Sequence, residues 1–395
     1  MKIVFLSGEL PGHAGGIGTY ISCLSPALAL LGHDVHVISC GPGRRRIDRE
    51  RDGYWIHERP TRRFGPGGPR RRGRYTTDRI FAAASSWLAY RSLNIGADVV
   101  EAAEWMAEGL AIQTQQRTPC VVSLHTPVHL ICGYNDTKIG RDLALADRLE
   151  RASARRARLV TSPSELLAQT LTASGWIAER PEVVRHPIDL DAWSDIPDAG
   201  STDPFVLVVG RLEPRKAPEL VLEAAAHLRD RVSIEVVFVG HGSLERRGQT
   251  YREWLASRAA TLDVRARFVD DLPRNELRAH YARARLVVVP SRFESMSMVA
   301  LEAMASGRPV VCTDAVGAAE LIAGTRAGAV TPRGDALALA EAMLPYLSDA
   351  GTAHEAGVEA RRLVAQHCAP DLIAAQRVQI YHDVAASTPR RGVLS

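Results

Sequence analysis

Two glutamates lie in the stretch from Pro290 to Val311, where carboxylates could bind a ligand. The apolar run Leu286 to Val289 predicts a buried strand, and Met298 to Ala305 has the apolar periodicity of a helix. Glu294 falls in the loop between them, and Glu302 about one turn into the helix. Open α/β sheets bind ligands where a strand ends and a helix begins, because the helix N-terminus offers free amides and positive partial charge. Both carboxylates are therefore predicted to face one ligand.

Cations follow another predicted strand, in the segment V-V-G-R-L-E-P-R-K. Gly210 and Arg211 come directly after the apolar residues, and Lys216 stands at the next helix start. A cation at either place can bind a diphosphate, and a charge-assisted hydrogen bond contributes about 1.5 to 3 kcal/mol. Arg211 is the stronger candidate, because strand ends point into the ligand site, and Arg215 is expected to be its exposed neighbour. The alternative is a pair of surface cations at a helix start, a position that disfavours positive charge.

Four polar or aromatic side chains follow strands in the first half. His125 ends the apolar run of residues 120–124, which aims it at the ligand-binding edge of the sheet; a structural role is the alternative. The segment E-A-A-E-W-M-A-E-G-L places Glu101, Glu104 and Trp105 after a short strand. An aromatic ring beside carboxylates suits a sugar or amine acceptor, and core packing of Trp105 is the alternative.

A glycine-rich turn, A-G-G-I-G-T-Y, follows the first strand. Gly15 and Gly16 would let backbone amides approach a phosphate or sugar, since no Cβ stands in the way. The dinucleotide fingerprint G-x-G-x-x-G is absent, because Gly18 is followed by Thr19 and Tyr20. Simple strand-to-helix punctuation is the alternative.

Strands and helices alternate twice along the chain. The first series runs from the strand Ile3 to Leu6 up to about residue 190, and the second begins at Phe205. Such alternation predicts parallel sheets, so the fold class is α/β, with two Rossmann-like doubly wound domains facing across a cleft. The predicted domains are 1–190 and 204–369, joined by a linker at 191–203. A C-terminal helix and tail, 370–395, could pack on either half, including back on the N-terminal domain.

Composition limits the function classes. The chain has 395 residues, 46% of them hydrophobic and 24% charged, with a net charge of +4. This mild basicity favours neither nucleic acid nor a membrane surface, and no run is long enough to span a bilayer. Six cysteines without C-x-x-C spacing predict neither a metal site nor a disulfide framework, so a cytoplasmic location is expected.

The segment from Arg44 to Arg74 is unusually basic. It holds twelve arginines against four acidic residues, with F-G-P-G-G-P inside it, and predicts a mobile loop. One interpretation is a basic flap over an anionic acceptor, either phosphate-bearing or lipid. The other is a solvated loop in an arginine-rich composition.

Three of these motifs, in this order, resemble the retaining nucleotide-sugar glycosyltransferases of family 4, which have the GT-B fold. They are G-G-I-G-T near the N-terminus, G-R-L-E-P-R-K in the middle, and F-E-S-M-S-M-V-A-L-E-A-M-A-S-G-R-P-V-V. The resemblance extends from Lys2 to about Glu320. It implies a nucleoside-diphosphate sugar as co-substrate, no separate cofactor and no metal.

The resemblance also implies roles for individual residues. Arg211 and Lys216 would hold the donor diphosphate, together with Gly16 of the glycine turn. Glu302 would bind the ribose diol and Glu294 the hydroxyls of the donor sugar. His125 would lie near that sugar. The amides of three further residues would meet phosphate: Ser297, Met298 and Val299.

Two positions depart from the family pattern. Met296 and Ser297 replace the usual phenylalanine and glycine, which predicts a reshaped pocket beside the donor sugar. His241 replaces an acidic residue between Gly240 and Gly242, which leaves the preference for base or sugar open.

The expected reaction is a front-face transfer, in which the leaving phosphate assists deprotonation of the acceptor, and no glutamate is assigned as nucleophile. The expected acceptor is a small molecule, as in natural-product biosynthesis; a lipid-linked or phosphorylated sugar is the alternative. A nucleotide-sugar epimerase of the same fold and a catalytically silent binding protein are the other classes left open. The nucleoside, the sugar and the oligomeric state are not predicted.

Overall fold

A computed structural model describes residues 1–11, 15–61, 73–115, 118–194, 205–242, 245–246 and 248–387 of the protein. The chain divides into two compact units. The first comprises Met1–Gly133, Thr137–Pro187 and Pro370–Ser395, and the second comprises Tyr134–Asp136 and Ile188–Ala369. The change of unit thus falls at residues 187 and 188, slightly before the predicted linker.

The first unit alternates strands and helices, as the sequence predicts. Its elements are β1 (Lys2–Leu6), α1 (Gly16–Leu30), β2 (Asp34–Gly41), β3 (Ile47–Arg51), β4 (Tyr54–Pro60), α2 (Arg74–Leu93), β5 (Val99–Ala103), a 3-10 turn (Trp105–Ala107), α3 (Leu110–Gln113), β6 (Cys120–Ser123), α4 (Val128–Tyr134), α5 (Arg141–Arg156), β7 (Leu159–Ser162), α6 (Glu165–Ala173), β8 (Glu182–Val183) and the C-terminal α15 (Pro370–Ala386).

The sheet of the first unit has the order β3-β4-β2-β1-β5-β6-β7-β8. All its strand pairs are parallel except β3 with β4. From β1 the chain turns first to β2 on one side and returns to β5 on the other. The gap between β1 and β5 is therefore a topological switch point, where ligands bind in doubly wound sheets.

The C-terminal helix α15 packs against α1 of the first unit. Its buried Tyr381 donates a hydrogen bond to Glu101 at 2.5 Å, and Arg377 donates one to Thr161 at 2.8 Å. Tyr20 of α1 donates to the other oxygen of Glu101 at 2.6 Å. Glu101, which the sequence analysis lists among the acceptor candidates, is therefore buried. Its hydrogen bonds link α15 to α1 of the same unit.

The second unit continues the alternation. Its elements are α7 (Asp191–Ser194), β9 (Phe205–Val209), a 3-10 turn (Pro214–Lys216), α8 (Pro218–Leu228), β10 (Glu235–Val239), β11 (Glu245–Arg246), β12 (Gln249–Thr250), α9 (Tyr251–Thr261), β13 (Arg265–Val269), α10 (Arg274–Arg283), β14 (Ala284–Val289), α11 (Met298–Ala305), β15 (Val310–Thr313), α12 (Ala319–Ile322), β16 (Gly328–Thr331), α13 (Ala336–Ser348) and α14 (Ala350–His367).

The main sheet of this unit has the order β13-β10-β9-β14-β15-β16, with parallel pairing throughout. Its switch point lies between β9 and β14. Phe205 and Leu207 of β9 join one apolar core, and Val206 and Val208 join another. Both faces of the strand are therefore buried, which explains why its sequence is continuously apolar.

Part of the basic segment is ordered, contrary to the prediction of one long loop. Residues Ile47–Arg51 form an antiparallel pair with Tyr54–Pro60. The turn between them uses Asp52 and Gly53, both with positive φ. The arginines at 62, 63 and 70–72 lie outside the described residues.

Three other features complete the description. The start of the predicted linker is the short helix α7, whose Trp193 is buried in the second unit, and residues 195–204 lie outside the described part. All six cysteines are buried, and no disulfide joins them. Among the described helices, none combines the length and apolar character required to cross a membrane.

Candidate donor-binding site

A concavity opens at the switch point of the second unit, between the ends of β9 and β14. Its wall includes five predicted site residues: Gly210, Arg211, Lys216, Ser297 and Val299. Val299 lies on the first turn of α11. Two cations, a glycine and a helix N-terminus that the sequence analysis singled out therefore lie in one concavity.

Two glycines let the backbone after β9 and the backbone after β10 approach one another here. Gly210 has a φ of 129° and Gly240, after β10, a φ of 142°. A Cβ on Gly240 would lie 2.2 Å from the carbonyl oxygen of Gly210. Only glycine fits at position 240, and the backbone after β9 can thereby turn into the concavity.

Buried charges form a compact network beneath the concavity. Glu294 accepts a hydrogen bond from Lys216, and its Oε1 also lies 3.0 Å from a guanidinium nitrogen of Arg215. Arg215 in turn donates to Oε1 of Glu213 at 2.8 and 3.0 Å. Lys216 is the member of this network that lines the concavity.

Burial and pairing act in opposite directions on these groups. Burial would raise the pKa of Glu294, but Lys216 and Arg215 outweigh it and lower that pKa to about 2. Burial lowers the pKa of Lys216, and Glu294 works against this shift. Glu294 thus stays ionised and helps to keep a cation at the surface of the concavity.

Arg215 does not have the exposed position that the sequence predicts for it, whereas Arg211 lines the concavity. Arg215, expected to be exposed, has a side chain only 6% accessible and holds Glu213 and Glu294. Arg211 has a side chain that is 52% accessible and lies 3.3 Å from Glu213. The reason is the 3-10 turn at Pro214–Lys216, which turns residue 215 inward, whereas residue 211 follows the strand end at the rim.

The N-terminus of α11 supplies amides at the same place. Ser297 is the N-cap, and its hydroxyl accepts a hydrogen bond from the amide of Ala300 at 3.3 Å. Its φ of 83° is unusual for a residue other than glycine, so its backbone is held under strain. The helix begins at Met298, as predicted, and its first amides have no partner within the helix. Such an end favours an anion.

Glu302, two turns along from Glu294 in sequence, has a separate partner. The hydroxyl of Tyr281, on α10, donates a hydrogen bond to its Oε2 at 3.0 Å. Burial raises the pKa of Glu302 to about 7, although this hydrogen bond lowers it. Glu302 can therefore change its charge near neutral pH. Glu294 and Glu302 differ in their partners and in the direction of their pKa shifts.

The predicted residues of the first unit have mixed placements. His125 is buried, with its ring 4.9 Å from that of His186 and 5.4 Å from that of Tyr20. Burial lowers the pKa of His125 to about 3, so the ring is neutral at pH 7. Its amide donates to Glu104 at 2.8 Å.

The structure does not place Glu104 where it could bind an acceptor, as the sequence predicted, because its side chain has no exposed surface. One of its carboxyl oxygens has no hydrogen-bond partner among the described residues, and burial raises its pKa to about 8. Trp105, by contrast, lines a cavity of the first unit together with Glu108. The motif thus supplies a cavity carboxyl, four residues beyond the predicted one.

The glycine turn leads into α1. Gly15 has a φ of 150°, and a Cβ there would lie 2.2 Å from a carboxylate oxygen of Glu9. That same oxygen accepts a hydrogen bond from the amide of Gly18 at 2.8 Å. Gly16 begins the helix, with open space where a Cβ would lie. Residues 12–14 lie outside the described part.

Family models match almost the whole length of the chain. Residues 14–192 match the model described as Glycosyltransferase Family 4, and residues 190–363 match that of Glycosyl transferases group 1. The chain belongs to these glycosyltransferases. These matches confirm the family resemblance, and with the fold they confirm the prediction of two parallel-sheet α/β domains of the GT-B class.

Individual relatives agree with this assignment. The chain is 30% identical to the D-inositol 3-phosphate glycosyltransferase of Kribbella flavida, over 66% of its own length and 65% of the relative's. It is 28% identical to the glycogen synthase of Mycobacterium tuberculosis, over 96% of its length and 94% of the relative's. The names of these relatives are those of transferases and synthases and give no support to an epimerase.

Solved structures share the fold. Sucrose-phosphate synthase from Thermosynechococcus elongatus is 22% identical, with a TM-score of 0.80 over 98% of this chain and 99% of that one. Anabaena HepE in complex with UDP-glucose is 19% identical, with a TM-score of 0.70 over 97% of this chain and 100% of that one.

Proposed function

We propose that the chain is a retaining glycosyltransferase that moves a sugar from a nucleoside-diphosphate sugar to a hydroxyl of a small acceptor, without a metal. The observation that carries the proposal is the concavity at the switch point of the second unit. There Lys216, backed by Glu294, stands beside the N-terminus of α11. Relatives that bind UDP-glucose in solved structures support a nucleotide sugar as donor.

The chemistry follows from where charge develops. When the sugar leaves, negative charge grows on the diphosphate, and groups that already point at that place lower the barrier most. Lys216 supplies a full charge, and the amides of Met298 and Val299 supply partial charges. These groups do without a metal what a divalent cation does in other transferases, which is the ground for proposing metal independence.

Glu294 is not proposed as a nucleophile. Its Oε1 is already shared by Lys216 and Arg215, and these cations lower its pKa to about 2. A carboxylate held in this way is a weak nucleophile, so retention is assigned to a front-face transfer. In that step the bond from the anomeric carbon to the diphosphate oxygen breaks. The acceptor oxygen bonds to the same face, and its proton passes to the leaving phosphate.

His125 and Glu302 have different tasks in this proposal. His125 is neutral across the working pH range, so it acts as a hydrogen-bonding group and not as a cation. Glu302, when ionised, can accept hydrogen bonds from two ribose hydroxyls. A cytoplasmic location is part of the proposal too, because six buried cysteines that form no disulfide suit a reducing compartment.

The test has two stages. A thermal-shift panel of UDP-, GDP-, ADP- and dTDP-sugars identifies the donor, since a ligand that binds only the folded state raises the unfolding temperature. Transfer from the stabilising donor is then followed by NMR, in the presence and absence of EDTA. We expect the product to keep the anomeric configuration of the donor, with equal rates in both buffers. An inverted product contradicts the front-face mechanism, and loss of activity in EDTA contradicts metal independence.

A further inference from the structure

A second concavity lies at the switch point of the first unit. Its walls come from the carboxyl ends of four neighbouring strands in the order β4, β2, β1 and β5, represented by Thr61, Cys40, Gly8 and Trp105. Its volume is about 240 Å³. Helix α2 closes one side with Phe81. The place is the one where doubly wound sheets bind ligands, and the cavity is large enough for a sugar-sized molecule.

The wall combines aromatic rings with carboxyl groups. Phe81 and Trp105 offer apolar faces, which suit the C–H surface of a sugar or cyclitol ring. Glu9, Asp78 and Glu108 bring three carboxyl groups to the same cavity; Glu9 accepts a hydrogen bond from the amide of Gly18, and Asp78 lies 3.7 Å from Arg74. Of the described residues that line it, none is a lysine or arginine.

Glu108 is the buried carboxyl of this wall. It is only 3% exposed, and the amide of Gly8 donates a hydrogen bond to it. Burial raises the pKa of Glu108 to about 8, the neighbouring Glu9 adds to the shift, and Arg44 opposes it. A protonated amine beside Glu108 would favour its ionised form, so amine and carboxyl would stabilise each other.

Arg44 lowers the pKa of Glu108, and its guanidinium donates hydrogen bonds to other groups. It donates to the carbonyl oxygen of Gly8 at 2.8 Å and to the hydroxyl of Ser39. Its charge is further offset by Glu58, which acts on the pKa of Arg44 more than Glu108 does. Among the described residues, no ion pair therefore joins Arg44 to Glu108, and Glu108 can take an amine as its cationic partner.

We propose that this cavity binds the acceptor and that the acceptor is an amino sugar or aminocyclitol, whose protonated amine lies against Glu108. The proposal rests on the proposed function and gives it a substrate class. The proposed acceptor differs from the inositol 3-phosphate in the names of some relatives, because these carboxyl groups would repel a phosphate.

A matched set of probes separates amine from phosphate recognition: glucosamine, glucose and glucose 6-phosphate. Binding of each is measured by isothermal titration at pH 7, with and without the stabilising nucleoside diphosphate. We expect glucosamine to bind about tenfold more tightly than glucose 6-phosphate, since the charge that approaches the carboxyl groups changes sign. Tighter binding of glucose 6-phosphate than of glucosamine, or no binding of any probe, overturns the proposal.

Two variants locate the effect. Glu108→Gln keeps the shape and removes the ionisable group, and it should reduce the preference for glucosamine over glucose about fivefold. Glu50→Gln makes the same change on an exposed residue of β3 and should leave the preference intact. An unchanged preference in Glu108→Gln contradicts the assignment even if glucosamine binds.

The basic segment provides the alternative outcome of this binding experiment. Arginines 70–72 follow the cavity residue Thr61 in sequence and could recognise an anionic acceptor instead. If glucose 6-phosphate is the best probe and its binding is lost on replacing all three with glutamine, or is abolished by added salt, the acceptor is anionic and the proposal fails. Donor-induced thermal stabilisation is scored separately, so failure of the acceptor class is distinguishable from failure of the glycosyltransferase function.

Discussion

Replacing Lys216 with methionine should lower activity without unfolding the protein. The substitution keeps the length of the side chain and removes the cation that lines the donor concavity. A charge-assisted hydrogen bond to the diphosphate is worth about 1.5 to 3 kcal/mol, so kcat/KM should fall about 10- to 150-fold. Some stability should be lost as well, because Lys216 is the cation that lowers the pKa of Glu294 most, but Arg215 stays 3.0 Å from that carboxylate and limits the loss.

The matched control is Arg211→Met, at the rim of the same concavity. The Arg211 side chain is 52% accessible, so water and salt screen its charge, and we expect a loss in kcat/KM of about fivefold or less. Steady-state transfer and thermal unfolding are measured on both variants. Wild-type activity in Lys216→Met would refute the reasoning. So would an Arg211→Met variant that is more impaired than Lys216→Met.

Three further outcomes are expected. Glu294→Gln should lower the free energy of unfolding by about 3 kcal/mol at pH 7, the value of a pKa shift from 4.5 to about 2. Because the pKa is depressed in the folded state, this difference in denaturant unfolding should shrink as the pH falls below about 4.5. Donor affinity, measured in a titration series, should drop about tenfold from pH 8 to pH 6 as Glu302 gains a proton. The drop should be smaller in Glu302→Gln. Tyr281→Phe should move the inflection of the affinity curve to higher pH, because the hydrogen bond from Tyr281 lowers the pKa of Glu302. Ser297→Ala should cost about 1 kcal/mol by loss of the cap, whereas Ser297→Gly, which relieves the positive φ, should be close to neutral in thermal unfolding.

The fold was predictable because its signals are local. Continuous apolar runs gave the parallel strands, and α11 begins and ends at the predicted residues. The pair β3 and β4 was missed because it is rich in arginine, and the outward strand β3 is mostly exposed. The packing of α15 on the first unit depends on contacts between residues about 280 positions apart, such as Tyr381 with Glu101, which no local pattern encodes.

The donor site was predictable in its residue types and less so in their burial. Lys216, Glu294 and Ser297 follow strand ends, and that placement is visible in sequence. The burial of Arg215 depends on how a 3-10 turn directs consecutive side chains. A signal existed, since Pro at the start of P-R-K favours a tight turn there.

Other site residues could not be found by motif. Tyr281 lies on α10, about 20 residues before the glutamate that it contacts, with no motif of its own. Glu108 was within the quoted acceptor segment, but spacing alone did not distinguish it from Glu104. Only the fold shows that the latter turns inward and has no exposed surface, whereas Glu108 lines the cavity.

The most direct measurement is a crystal structure with the nucleoside diphosphate that stabilises the protein most. The diphosphate should lie within hydrogen-bond distance of the Lys216 ammonium and of the first amides of α11. Binding of the diphosphate at a place that contacts neither group would contradict the assignment of this concavity as the donor site.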